Sequence, residues 1–111
     1  MQVASLVAPD VSTGVRLQMA FDPNGQLAQV VASNLPQLPA SQTYQFWLIG
    51  EEPVSGGVFR VDERGVGSLV VESNTPLSQY SSIGVSREPA GGSATPTTDQ
   101  IVVLGDLPRP N

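Results

Sequence analysis

The 111-residue chain contains no cysteine, no histidine and no lysine. Without cysteine there are no disulfides, no thiol redox chemistry and no thiolate metal site. Without histidine the commonest general base and the commonest transition-metal ligand are missing. Without lysine, Schiff-base chemistry and the lysine of a phosphate loop are gone as well. These absences argue against an ordinary enzyme. The basic side chains reduce to five arginines against ten acidic groups, a net charge of −5. Duplex nucleic acid and anionic membrane surfaces both require a basic patch, which five scattered arginines do not supply. The longest apolar runs, Phe46–Ile49 among them, have four residues, far short of the roughly 20 that span a bilayer. The opening Met-Gln-Val-Ala-Ser lacks the basic start and apolar middle of a signal peptide. A chain that begins almost directly in a strand is expected to be an excised piece of a larger protein rather than a complete cytosolic one.

What is present points to one globular domain. Hydrophobic residues make up 40% of the chain and charged ones 14%, enough to bury a core without metal or disulfide staples. The stretch Thr43–Gly50 holds the single tryptophan, a tyrosine and a phenylalanine in residues that favour strand. Tyr44, Phe46 and Leu48 fall on one face at period two, with Gln45, Trp47 and Ile49 on the other. A strand apolar on both faces belongs in the middle of a sheet. Tyr44, Phe46 and Leu48 are expected to point into the main core, so that Trp47 needs a separate lid on the opposite face. The reverse assignment fits the alternation nearly as well. Core filling is the stronger reading of these aromatics than a ligand platform.

Taken in order, residues 3–8 alternate as a strand closed by Pro9-Asp10. Val15–Asp22 is the clearest alternation, with Val15, Leu17, Met19 and Phe21 on one side. Pro23-Asn24-Gly25 follows as a hairpin turn, in which the glycine could supply a positive φ. Leu27–Ser33 returns as the partner strand, and either Ala28, Val30 and Ala32 or Leu27 and Val31 could face inward. Leu35-Pro36-Gln37-Leu38-Pro39 must be extended and reads as a crossing between sheets, anchored by its leucines. Residues 51–56 are expected to form a loop. A second hairpin is predicted from Gly57–Val61 and Val66–Ser73, turning at Asp62-Glu63-Arg64-Gly65 and bringing Phe59 and Val61 onto one face with Leu69 and Val71. Residues 74–80 read as irregular or one helical turn, Ser81–Ser86 and Ile101–Leu104 as strands, and Arg87–Gln100 as a long connection. About seven or eight short strands without sustained helical period predict an all-β fold, an antiparallel β-sandwich immunoglobulin-like in architecture, as a single domain over residues 1–111.

The most unusual segment is Glu88-Pro89-Ala90-Gly91-Gly92-Ser93. Consecutive glycines can form a backbone nest for an anion, but a phosphate loop would need a lysine and a following helix, and neither is here. The stronger reading makes Glu88 itself the anion. Its carboxylate would accept hydrogen bonds from loop N–H groups, Gly91, Gly92 or Ser93 among them, and so fix the long connection. Pro89 holds Glu88 extended, and the glycines let the backbone lie flat against a neighbour such as Trp47. Glu51-Glu52 and Asp62-Glu63 match no calcium-loop spacing and read as a solvated rim. Ser55 and Ser93 have no histidine to activate them. No catalytic residue, cofactor site or metal site is assigned.

Several of these stretches together resemble one family. Thr43–Ile49 resembles its Tyr-x-x-Trp-Leu-Ile strand. Pro53–Phe59 resembles its small-Gly-Val-Phe segment, with Asp62 and Gly65 in the turn that follows. Val85-Ser86, Glu88–Ser93 and Pro96 resemble its Glu-Pro-x-Gly-Gly-Ser signature. This is the C-terminal, extracytoplasmic domain of the anti-sigma-K factor (RskA) family, and the matches run over about residues 43–96. Arg87 stands where an apolar residue is expected, and Thr97-Thr98 replace a usual glycine. The resemblance singles out Tyr44, Trp47, Gly57, Phe59, Glu88, Pro89, Gly91, Gly92 and Ser93 as structural or interaction residues. It implies a parent with a cytoplasmic sigma-binding domain, one transmembrane helix and this domain on the extracytoplasmic side. Such a parent restrains an extracytoplasmic-function sigma factor until proteolysis releases it. The implied partners are proteins: the parent itself, a protease or sensor, and a second copy of the chain. Nucleic-acid binding and direct membrane insertion by this segment are not expected. A stand-alone adhesion or carbohydrate-binding sandwich is the alternative, and a hydrolase using paired carboxylates ranks last.

Overall fold

The computed structural model describes residues 2–7, 14–22 and 24–107. Eight strands run in chain order: β1 (Gln2–Val7), β2 (Arg16–Phe21), β3 (Leu27–Ser33), β4 (Gln42–Ile49), β5 (Pro53–Phe59), β6 (Gly67–Glu72), β7 (Ser82–Pro89) and β8 (Ile101–Asp106). They form two four-stranded antiparallel sheets, β1-β2-β3-β6 and β5-β4-β7-β8. The result is the expected β-sandwich. It shares the immunoglobulin two-layer architecture, although its strands divide four and four where the immunoglobulin constant type divides four and three.

The core lies where alternation places it. Leu17, Met19 and Phe21 of β2, Ala28, Val30 and Ala32 of β3, and Val71 of β6 are buried against Tyr44, Phe46, Leu48, Phe59, Ile83, Val85 and Val103 of the second sheet. The ambiguity in β3 resolves toward its alanines and Val30, since Leu27 is 60% exposed. Tyr44 and Phe59 are stacked, ring centroids 5.7 Å apart. The β2-β3 turn closes with the Gly25 amide donating to the Asp22 carbonyl (2.8 Å) and the Asn24 amide to the Asp22 side chain. Gly25 does not use a positive φ there, because the Asp22 carboxylate organises the bend instead. Pro9-Asp10 and Pro23 lie outside the described residues.

The predicted second hairpin is not formed. Residues 53–59, read partly as a loop, are a strand paired with β4, while β6 pairs with β3 in the other sheet. Phe59 and Val71 do meet in the core, but from opposite sheets. The Asp62–Gly65 turn is therefore a crossing. Asp62 caps it by accepting from the amides of Arg64 (2.9 Å) and Val66 (3.0 Å). The Val66 amide first, then that of Arg64 and its guanidinium, hold the Asp62 carboxyl below its ordinary range against a smaller opposing effect of desolvation.

The 35–39 segment crosses between the sheets as expected and is tied to this same turn. Leu35 N–H donates to the Gly65 carbonyl (3.1 Å), Gln37 donates to the Asp62 carbonyl, the Tyr44 hydroxyl donates to Pro36 (2.7 Å), and Arg60 donates to Leu38 (2.7 Å) and Gln42. Burial pushes the Tyr44 phenol up, with Arg87 opposing. Gly65 has φ +81°, and a Cβ there would sit 2.8 Å from the Leu35 carbonyl oxygen. Gly65→Ala is accordingly expected to cost about 1–2 kcal/mol from left-handed strain alone, with the backbone contact adding to it. A urea midpoint equal to that of the parent chain would show that the two crossings are not locked together.

Candidate functional site

The second sheet has two different faces. Its inner face joins the core; its outer face carries Thr43, Gln45 and Trp47 of β4 beside Gly84, Ser86 and Glu88 of β7, in the register Thr43–Glu88, Gln45–Ser86 and Trp47–Gly84. Thr43, Gln45, Trp47, Ser86 and Glu88 are all buried, although only the inner-face residues belong to the core cluster. Tyr44, Phe46 and Leu48 thus point inward, and Trp47 has its own cover, as the first of the two sequence assignments requires. On one side that cover includes Leu104 of β8, which packs over Gly84: its Cδ1 lies 3.1 Å from where a Cβ would stand.

Farther along the outer face lies a strap, residues 90–100, that leaves β7 at Pro89 and folds back over Gln45 and Glu88. Pro89 keeps Glu88 in the strand, paired to Thr43. The amide of Ala90 donates to Ser41 (2.8 Å), and that of Gly92 to Pro89 (2.9 Å). The reversal needs two successive positive φ angles, +93° at Gly91 and +89° at Gly92, a conformation only glycine adopts readily. Gly92 lies over Gln45, whose Oε1 would be 3.0 Å from an added Cβ, and beside Val58, so it rests on these side chains rather than on the indole; a Cβ on Gly91 would meet nothing within 4 Å.

Two side chains hold the strap. Gln45 accepts from the Ser93 amide (2.8 Å) and donates to the Ser93 carbonyl (3.0 Å) and to Ser55 Oγ (2.8 Å). Glu88 accepts at Oε1 from the hydroxyls of Ser93 (2.9 Å) and Thr97 (2.6 Å), and at Oε2 from Ser86 Oγ (2.5 Å) and the Thr97 amide (2.8 Å). The Trp47 indole N–H donates to Ser86 Oγ (2.9 Å), which links the tryptophan to the carboxylate. Glu88 is therefore an internal anion, as the sequence suggests, but its donors are three hydroxyls and one amide. The Gly91 and Gly92 amides do not reach it. Thr97 supplies two of the four bonds. Nothing in a one-dimensional reading distinguishes Thr97 from its neighbours; a threonine nine residues after a buried carboxylate is only a weak signal.

Among the described residues no cation shares this site. Arg87 points to the inner side beside Tyr44, and its buried Nε lacks a hydrogen-bond partner among the described residues. Burial alone would raise the Glu88 carboxyl, but the bonds from Ser86, Thr97 and Ser93 outweigh it and hold the group below its ordinary value. A carboxylate whose folded-state pKa is depressed contributes stability above its unfolded pKa and loses it as pH falls through the folded one. Stability is therefore expected to decline with acid from about pH 4, near the model-peptide value for glutamate. Glu88→Gln should remove this part of the slope. A pH-stability curve of identical shape in both proteins would count against the network.

Gly57 and Phe59 serve the opposite side of the sheet. The β4-β5 register shifts between Phe46–Gly57 and Trp47–Ser55, leaving Gly56 as an extra residue in a bulge. The bulge gives the Phe46 ring its space: a Cβ on Gly56 would stand 2.7 Å from Phe46 Cδ2. Ser55 in turn accepts from the Gly57 amide (3.2 Å), which ties the bulge to Gln45 and the strap. Tyr44, Gly57 and Phe59 are thus core and bulge residues, whereas Trp47, Glu88, Pro89, Gly91, Gly92 and Ser93 converge on the strap.

The hydroxyls of Ser86, Ser93 and Thr97 all meet the Glu88 carboxylate, the one pattern here that resembles nucleophiles with a base, and Ser86 is fully buried with its oxygen already accepting from Trp47. Among the described residues no group of three acidic side chains converges as a metal site would require. No helix among them is long and apolar enough to cross a membrane.

Fold and site together define an all-β sandwich domain whose distinctive feature is a polar latch closing a strap over Gln45 and Glu88. The chain belongs to the family described as anti-sigma-K factor rskA, C-terminal, whose model matches residues 1–101 and so includes the whole latch. That family is one of regulatory anti-sigma factors. The chain is also similar to a Streptomyces griseus protein described as "Uncharacterized protein in phr 5'region", 30% identical over 107 residues that cover 89% of this chain and 44% of that protein. It therefore spans less than half the length of that curated relative. No solved structure matches it.

Proposed function

We propose that the chain is the non-catalytic, extracytoplasmic regulatory domain of a membrane-anchored anti-sigma factor. In this reading its folded state, through the strap or partner contacts, controls proteolysis of the parent and hence release of an extracytoplasmic-function sigma factor. Family membership over residues 1–101 is the observation that carries it. The latch supports it, because a site built wholly of mutually satisfied side chains offers a closed and an open state rather than a place for turnover.

Two measurements on the parent protein test this. A cysteine placed at exposed Val70 (67% exposed), in a chain that has no cysteine of its own, should react with a membrane-impermeant maleimide in intact cells. Glu88→Gln in the parent should raise transcription from the sigma factor's promoter several-fold and increase cleavage of the parent on immunoblots. A shielded cysteine would overturn the location, and unchanged transcription with an intact parent would overturn the regulatory role. The adhesion or carbohydrate-binding reading calls for exposed aromatics, yet Phe21, Tyr44, Phe46, Trp47 and Phe59 are buried.

A further inference from the structure

The strap is held by hydrogen bonds and not by buried side chains. From Ala90 to Gln100 no side chain is buried, so the segment contributes no apolar anchor to the surface it covers. Beneath it Gln45, Trp47, Ser86 and Glu88 are at most 2% exposed. Five hydrogen bonds join strap to groove, and all five end on Gln45 or Glu88. Segments with few buried apolar contacts open locally at a small fraction of the global unfolding free energy. Opening here would present an indole, a carboxamide and a carboxylate already in place on two central strands.

The strap also shows what this groove recognises. The Gln45 carboxamide reads both the N–H and the C=O of a single residue, Ser93, a pairing available to any main-chain unit. Glu88 reads that residue's hydroxyl, and then the amide and hydroxyl of the residue four positions on, Thr97. Neither set of contacts depends on the strap being covalently continuous with β7. We propose that the groove formed by Gln45, Trp47, Ser86 and Glu88 is a polypeptide-binding site for segments bearing hydroxyl residues four apart, and that residues 93–97 occupy it in cis as a resident pseudo-ligand. A competing segment in trans would hold the strap open. This rests on reading the strap as the regulated element, and it supplies the kind of partner that would regulate it.

The resident strap has the advantage of an intramolecular ligand, an effective concentration of about millimolar for short flexible tethers, so the test must first weaken it. Ser93→Ala/Thr97→Val removes the two strap hydroxyls that reach Glu88 and leaves the groove intact. Gly92→Ala does the same by another route, since φ +89° and a Cβ 3.0 Å from Gln45 Oε1 both oppose closure. The probe is a capped peptide of this chain's residues 90–99, followed by the Trp47 indole N–H resonance. Either opened variant should bind it saturably, at least tenfold more tightly than the wild type, and adding Glu88→Gln should abolish binding. The same peptide with alanine at the positions of Ser93 and Thr97 should not bind. The proposal is overturned if neither opened variant, its remaining resonances showing an intact sandwich, shifts the indole signal up to the peptide's solubility limit. Binding indifferent to Glu88 would overturn it equally. Sedimentation of Gly92→Ala alone, whose strap keeps Ser93 and Thr97, separates the sources: a concentration-dependent dimer identifies the strap of a second copy as the occupant, and a monomer that binds peptide identifies a segment of a different protein. Because all of this is read on the isolated domain, it fails or stands independently of the transcription measurement.

Discussion

Phe46→Ala is expected to destabilise the domain by about 3–5 kcal/mol, the range for deleting a buried phenylalanine ring. A domain of this size has about 5–15 kcal/mol in total, so the variant should be substantially unfolded in mild urea. The ring is fully buried on the central strand β4, with Gly56 and Val71 beside it. The space around it is created by the bulge in β5, a backbone feature that cannot close over a missing ring without changing register. Phe46→Leu, which refills much of the volume, should recover more than half of the loss. Equilibrium urea unfolding checks both, with an unchanged slope showing that stability alone has moved. A loss below about 1 kcal/mol for the alanine variant would mean that the site collapses freely, and that the two sheets are not clamped through this residue.

Glu88→Ala is expected to cost about 2–4 kcal/mol, and Glu88→Gln about 1–3 kcal/mol, the range for losing charge-assisted hydrogen bonds and leaving their donors unpaired. Four donors converge on the carboxylate. A glutamine can still accept at its oxygen, but its amide nitrogen would face hydroxyls and an N–H already placed to donate. Alanine leaves all four without an acceptor. The damage should be local. Hydrogen exchange at Ser93 and Thr97 should accelerate by a larger factor than at β2 or β3, and the indole should lose its order through Ser86. Combined with Thr97→Val, the effect of Glu88→Ala should be less than additive, since both changes remove the bond from the Thr97 hydroxyl to the carboxylate. Strict additivity, or uniform exchange across both sheets, would show that the carboxylate supports the sandwich generally and does not latch the strap.

Several residues show how far the chain can be read before it is folded. The period-two pattern in β2 identified every one of its inward residues, because a half-buried strand leaves its burial written in alternate positions. The same rule placed Tyr44, Phe46 and Leu48 on one face and Trp47 beyond it, though it could not say which face was the core. Glu88 was legible as a satisfied anion because proline and paired glycines beside a carboxylate have few other uses.

Where the reading failed, the missing information was not local. Asp62–Gly65 has the chemistry of a tight turn, and a tight turn serves a sheet-to-sheet crossing as well as a hairpin; only the pairing of β5 with β4 and β6 with β3 decides between them. The bulge at Gly56 is equally silent, since it exists to accommodate a ring ten residues earlier.

By itself, then, the sequence determined the class of fold, the sorting of strand residues onto alternate faces and the absence of cysteine, histidine and lysine, all of which follow from residue type and spacing of two. The tertiary structure alone decided which strands are neighbours and which donors reach Glu88. Those depend on the return path of the strap, which brings Thr97 back onto a carboxylate nine residues away and Ser93 onto Gln45, 48 residues away. Contacts at such separations are set by how the sheets close, and no local pattern encodes that distance.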